Sequence, residues 1–145
     1  MMLKPLLLSM SFMAAGIASV SSAHDLGFAG LLSNGNMEEL PEIELSVGEP
    51  LGEDWVLKSG TGYELEITSD GSGEIQIAGP GFFRAIWINE VVINDLEVRP
   101  FGLESLEFDA AGTMEIEFIA IKPGTYELKI PGTTSENQRI KITIQ

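Results

Sequence analysis

The sequence predicts an all-β fold, a sandwich or barrel of short strands with no long helix. Alternation with period two carries this first. Tyr63, Leu65 and Ile67 alternate with Glu64 and Glu66, and Met114, Ile116 and Phe118 with Glu115 and Glu117. Tyr126, Leu128 and Ile130 alternate with Glu127 and Lys129, and Ile140, Ile142 and Ile144 with Lys141 and Thr143. Each run is a half-buried strand with one wet face, because successive strand side chains point to opposite sides. Punctuation carries it second. Gly60-Thr-Gly62, Gly79-Pro-Gly81, Ala111-Gly112, Pro123-Gly124 and Pro131-Gly132 each close one run before the next opens, the turn spacing of a many-stranded β domain.

Taken in chain order, residues 1–23 read as a secretory signal. Lys4 gives a positive start, Leu6 to Val20 is mostly apolar, and Ser21-Ser22-Ala23 supplies the small residues a signal peptidase needs. Cleavage after Ala23 leaves His24 first and removes the only segment suited to a membrane, so the expected location is exported, periplasmic or secreted. Residues 24–40 hold several Gly and Asn and no steady period, which predicts an irregular N-terminal arm, mobile or docked by a short helical turn over Leu26 to Leu32. Residues 41–145 form the domain. Within it, Trp55 to Lys58 reads as a strand, and Phe82-Phe-Arg-Ala-Ile-Trp-Ile88, apolar on both faces apart from Arg84, as a central strand. Trp87 and Phe83 then face one side, and Phe82, Ile86 and Ile88 the other. Leu106 to Phe108 is a further strand, and Ile140 to Ile144 a closing one.

The mature chain is large enough for one core and not two. The sequence has no Cys, so neither disulfides nor thiolate sites are available. Lys4 leaves with the signal, and seven Lys/Arg then face 22 Asp/Glu, a formal charge of −15. Such a surface repels phosphate backbones and anionic lipid, which argues against nucleic acid or membrane partners. It would attract a metal cation or a basic protein, or serve solubility alone.

Residues 55 to 145 resemble the cupredoxin family. The elements that carry this are Trp55-Val-Leu-Lys58, Tyr63-Glu-Leu-Glu-Ile67, Trp87-Ile-Asn89, Leu106-Glu-Phe108 and Phe118-Ile-Ala-Ile-Lys-Pro-Gly-Thr-Tyr126. The resemblance implies a Greek-key β-sandwich of about 7–9 strands. It also implies a type 1 copper site on the loop after the Pro-Gly-Thr-Tyr corner: a thiolate, then a His, then a weak axial ligand, with another His from an earlier strand end. Counted from Gly124, those positions fall on Ile130, near Thr133 and near Gln138, and the earlier segment offers only Asn94 and Asp95. All four ligands are missing, so a blue-copper site cannot form there.

Other chemistry is sparse. His24 is the only histidine. As a free N-terminus its α-amine and imidazole chelate copper, and Asp25 adds an oxygen, although a full brace needs a second imidazole. Asp70, Ser72 and Glu74 in Ser69-Asp-Gly-Ser-Gly-Glu74 resemble the front of a calcium loop without its closing acid, and a hairpin turn explains the same residues. Arg84 would pair with Glu90, Asp95 or Glu97 if buried, or snorkel from an exposed edge. A nucleophile–base pair has no obvious members, which predicts a chain that is not an enzyme. Two roles remain open: a binding or accessory domain in metal (copper) handling or beside a redox partner, and a metal-free structural or protein-interaction sandwich with an acidic binding face.

Overall fold

The computed structural model describes residues 30–145. The segment expected to be a secretory signal and the metal candidates His24 and Asp25 lie outside the described residues. Among the described residues no helix is long and apolar enough to cross a membrane.

Among the described residues, eleven strands form two mixed sheets packed face to face. The first sheet contains β1 (Met37–Glu39), β2 (Ile43–Leu45), β4 (Gly62–Ser69), β6 (Ile86–Ile93), β7 (Leu96–Val98) and β9 (Gly112–Ala120). Its order is β1-β4-β9-β6-β7, with β2 following β1 along the same edge of β4. The second sheet contains β3 (Trp55–Leu57), β5 (Ile75–Ala78), β8 (Ser105–Phe108), β10 (Gly124–Lys129) and β11 (Arg139–Ile144), in the order β3-β11-β10-β5-β8. The count exceeds the expected 7–9 because β1, β2 and β7 are three-residue strands added at sheet edges.

The alternating runs occupy the places their period requires. Tyr63, Leu65 and Ile67 face inward opposite Phe118, Ile116 and Met114 of β9. Ile140, Ile142 and Ile144 come from the other sheet and are nearly inaccessible. At the centre Phe82 packs edge-on to Phe118, ring centroids 5.6 Å apart, and Tyr63 lies 5.8 Å from the same ring. Burial of such a layer is the main stabilising contribution, about 1.5–3 kcal/mol per large apolar side chain. The strand read as closing the fold, Ile140 to Ile144, instead lies inside the second sheet, parallel to β3 and antiparallel to β10.

Phe82 to Ile88 is not one strand. Pro80–Phe83 forms the single helical turn α1, and the chain extends only from Ile86. Pro80 sits at the first helical position, where its missing N–H costs nothing. Consecutive Phe82 and Phe83 are both buried, on the inner side of this turn. Trp87 faces outward and is half exposed, while Ile88 faces the core.

Within the segment read as irregular, Gly30–Leu32 and Asn34–Asn36 are single 3-10 turns, and Met37–Glu39 pairs in parallel with Gly62 to Glu64. The end of the Met37 side chain occupies the space a Cβ on Gly62 would take, so β1 packs its first side chain directly over this glycine. Buried Asn36 donates from Nδ2 to the carbonyls of Leu31 and Gly60, at 2.8 and 2.9 Å, and ties this lead-in to the β3–β4 turn.

Candidate functional site

The loop after β10 is where the resemblance implied copper chemistry. It runs from Ile130 through a 3-10 turn at Glu136–Gln138. The fold brings Ile130, Thr133 and Gln138 together. Ile130 N–H donates to the Gln138 carbonyl (3.2 Å), Thr133 N–H to the Ile130 carbonyl (3.3 Å), and the Thr133 hydroxyl to Gln138 Oε1 (2.7 Å). Side chains at the ligand positions are therefore an aliphatic group packed against the core and a hydroxyl–amide pair bonded to itself. No thiolate or imidazole can be presented there, so these residues do not fit a type 1 copper ion. The adjoining depression, about 280 Å³, brings a single carboxylate, Glu74. Asn94 and Asp95 form the two-residue turn between β6 and β7, with Asn94 at φ 53°, the left-handed position that hairpin turns assign to Asn.

Ser69-Asp-Gly-Ser-Gly-Glu74 is a turn but not a hairpin. It carries the chain from β4 in the first sheet to β5 in the second. Asp70 Oδ1 accepts from Ser72 N–H (2.8 Å), and Ser72 Oγ accepts from Val47 N–H (2.9 Å). Hydrogen bonds from Ser72 hold the Asp70 carboxyl below its usual range. Asp70 and Ser72 of the calcium-like motif thus close the crossover, while Glu74 borders the depression beside it. Among the described residues no group of three or more acidic, His or Cys side chains is placed to hold a metal. Arg84 is exposed and pairs at 2.6 Å with Glu104, which was not among its expected partners, because it lies at the end of α1 and not in β6.

The arrangement with most chemical content is the outer face of the first sheet. Register aligns Glu39, Glu64, Glu117 and Glu90 in one row across four strands, and Glu66 and Glu115 in the next, which continues through Val92 to Glu97. Arg99 is the cation that answers this row at its edge, 2.9 Å from Glu90 and 3.5 Å from Glu97. Desolvation first, then Glu64, pushes the Glu115 carboxyl up. Desolvation first, then Glu90, does the same for Glu117, against an opposing hydrogen bond from Asn89 Nδ2 (2.9 Å). Period-two alternation made these glutamates visible in the sequence as a wet face. Their alignment into rows depends on long-range register, which no local signal records.

The second sheet's outer face differs. Its depression, about 870 Å³, is flanked by Lys129, Arg139 and Lys141 with Glu127, Glu136 and Asp54 among them. Lys129, the largest influence on it, holds Glu127 below its usual range, and Arg139 lies 3.7 Å from the same carboxylate. Positive and negative groups there largely cancel, so the two faces of the sandwich present unlike surfaces.

No family model matches the sequence, and no curated protein does. Among solved structures, a multi-copper oxidase from Pseudomonas thermotolerans is similar at 14% identity over 77% of this chain, with a TM-score of 0.54. A copper nitrite reductase from Nitrosomonas europaea aligns over 66% of this chain at 12% identity, with a TM-score of 0.48. The chain spans 30% of the length of the first of these and 33% of the second. On the first likeness and on its own topology, residues 30–145 form a cupredoxin-like β-sandwich.

Proposed function

We propose that this chain is an exported, non-enzymatic accessory domain that keeps the cupredoxin-like sandwich without a type 1 copper site and docks a basic protein through its acidic sheet face. The observation that carries this reading is the double row of glutamates, in which desolvation first and neighbouring glutamates second push the carboxyls of Glu115 and Glu117 up. Like charges set opposite each other across strands lower stability by roughly 0.2–1 kcal/mol per pair. A solubilising surface has no need of such alignment. A cationic partner relieves it, and the summed field steers that partner's approach.

A basic redox protein, such as a cationic c-type cytochrome, is the probe for this face. Titrated calorimetrically at low ionic strength, it should bind the processed chain and lose at least ~10-fold in affinity with Glu64, Glu66, Glu115 and Glu117 all changed to Gln. Equal affinity for the two forms would remove the acidic face from the reading.

Copper handling through His24 and Asp25 is the second reading, favoured by the position of His24 directly after the expected cleavage site. Cu(II) and Cu(I) titrations of the chain beginning at His24, against one carrying an extra leading residue, separate it from docking. Binding lost in the extended form supports it. No binding tighter than about micromolar in either form rejects it.

A further inference from the structure

We propose that β7 is a homodimerisation edge, pairing antiparallel with β7 of a second copy so that Glu97 stands opposite Arg99. This goes beyond docking of a basic protein and involves a different edge of the molecule. The first sheet ends at β7, which is bonded to β6 on one side only. Its exposed apolar side chains are unusual for a sheet end: Leu96 is 64% exposed, Val98 40%, and Phe101 just beyond it is fully exposed. An edge of this kind is a template for another strand unless something covers it.

The backbone then restricts what can cover it. A two-residue turn makes Ile93 and Leu96 the pair that exchanges hydrogen bonds. Peptide groups alternate from there. Those of Leu96 and Val98 face β6, and those of Glu97 and Arg99 face outward. A two-fold axis between two such edges can align outward-facing residues in only three ways: Glu97 with Glu97, Arg99 with Arg99, or Glu97 with Arg99. Like charges directly opposite destabilise a pair, and opposite charges support it. Only the third register survives. It puts Val98 against Val98 on the axis, sets Leu96 beside Pro100, and forms four backbone bonds. Pro100 has no N–H to offer on the β6 side, so β7 does not extend along β6 beyond Arg99. Because the other edge of β7 is taken by β6, the contact is isologous and closes at two copies. The Glu-x-Arg spacing is self-complementary when reversed, which a strand selected for a foreign partner would have no reason to be.

Sedimentation velocity on the processed chain, from ~1 µM to ~1 mM, tests this. The wild type should shift from monomer to dimer in that range. Glu97→Arg and Arg99→Glu should each weaken association at least ~10-fold, since each creates a like-charge pair, and an equimolar mixture of the two should form a heterodimer. Glu97→Pro, which removes an outward-facing donor without touching the β6 ladder, should also be monomeric and covers the case in which Arg99→Glu fails to fold. Circular dichroism confirms that each variant is folded. A wild type that stays monomeric at all concentrations overturns the proposal. So does a folded Glu97→Arg or Glu97→Pro variant that dimerises like the wild type, or a mixture of folded single variants that stays monomeric.

Discussion

Glu117 shows how much one side chain's surroundings say about this surface. Its carboxyl lies in a row with Glu64 and Glu90, and both burial and these neighbours hold its pKa above the ordinary value of 4.5. Glu115 is displaced in the same direction. Each therefore keeps its proton more readily folded than unfolded. The stability they contribute is fully present below the unfolded pKa and is lost as pH rises through the folded one. Replacing Glu117 by Gln keeps an acceptor for Asn89 and removes the charge. The variant should be more stable than the wild type at neutral pH by up to about 1 kcal/mol. That advantage should vanish below about pH 4, measured as the difference between paired urea titrations. An advantage that does not change with pH would mean the gain has another source.

The Lys122–Tyr126 corner illustrates the element scale. Tyr126 donates its hydroxyl to the Lys122 carbonyl at 2.9 Å, pinning the start of β10 to the end of the preceding strand's loop. Gly124 sits at φ 155°, and a Cβ there would lie 2.8 Å from the Tyr126 hydroxyl oxygen. Tyr126→Phe should cost about 0.5–1.5 kcal/mol. Gly124→Ala should cost more, about 1–3 kcal/mol, because it displaces the ring as well as the bond. Thermal melts of both variants and of the double variant check this, and the double variant should be close to Gly124→Ala alone. Additive losses would show that glycine and ring act separately. Elements such as this corner and the four alternating strands were legible because a period of two and a Pro-Gly turn are local signals. Phe82 and Phe83 were misplaced because an apolar run of that length fits a buried strand or a helical turn equally well, and only the company of Pro80 decided it. The ladder of Met37 to Glu39 was hidden for another reason: a strand of three residues carries no period of its own, and its partner, Gly62 to Glu64, lies far along the chain.

At the scale of the whole molecule, the two sheets divide the surface charge. One outer face carries aligned glutamates with Arg99 at its margin, and the other mixes Lys129, Arg139 and Lys141 with carboxylates. Neither division nor alignment can be read from net charge, since both depend on which strands become neighbours. The same non-local pairing sets the position of β11, and β3 has no other strand beside it. Deleting Arg139–Ile144 should therefore abolish the cooperative unfolding transition and expose apolar surface to a hydrophobic dye, whereas a retained sharp transition would show that the first sheet folds alone. During synthesis, Trp55 and Leu57 leave the ribosome long before the strand that covers their flank. Until Ile140 to Ile144 is made, β3 has no strand to join and the second sheet cannot be completed, so this non-local pairing forms late. Completion of this sheet is thus timed by the chain's order of synthesis, and the inner faces of Trp55 and Leu57 stay without their neighbouring strand until residues 142–144 exist.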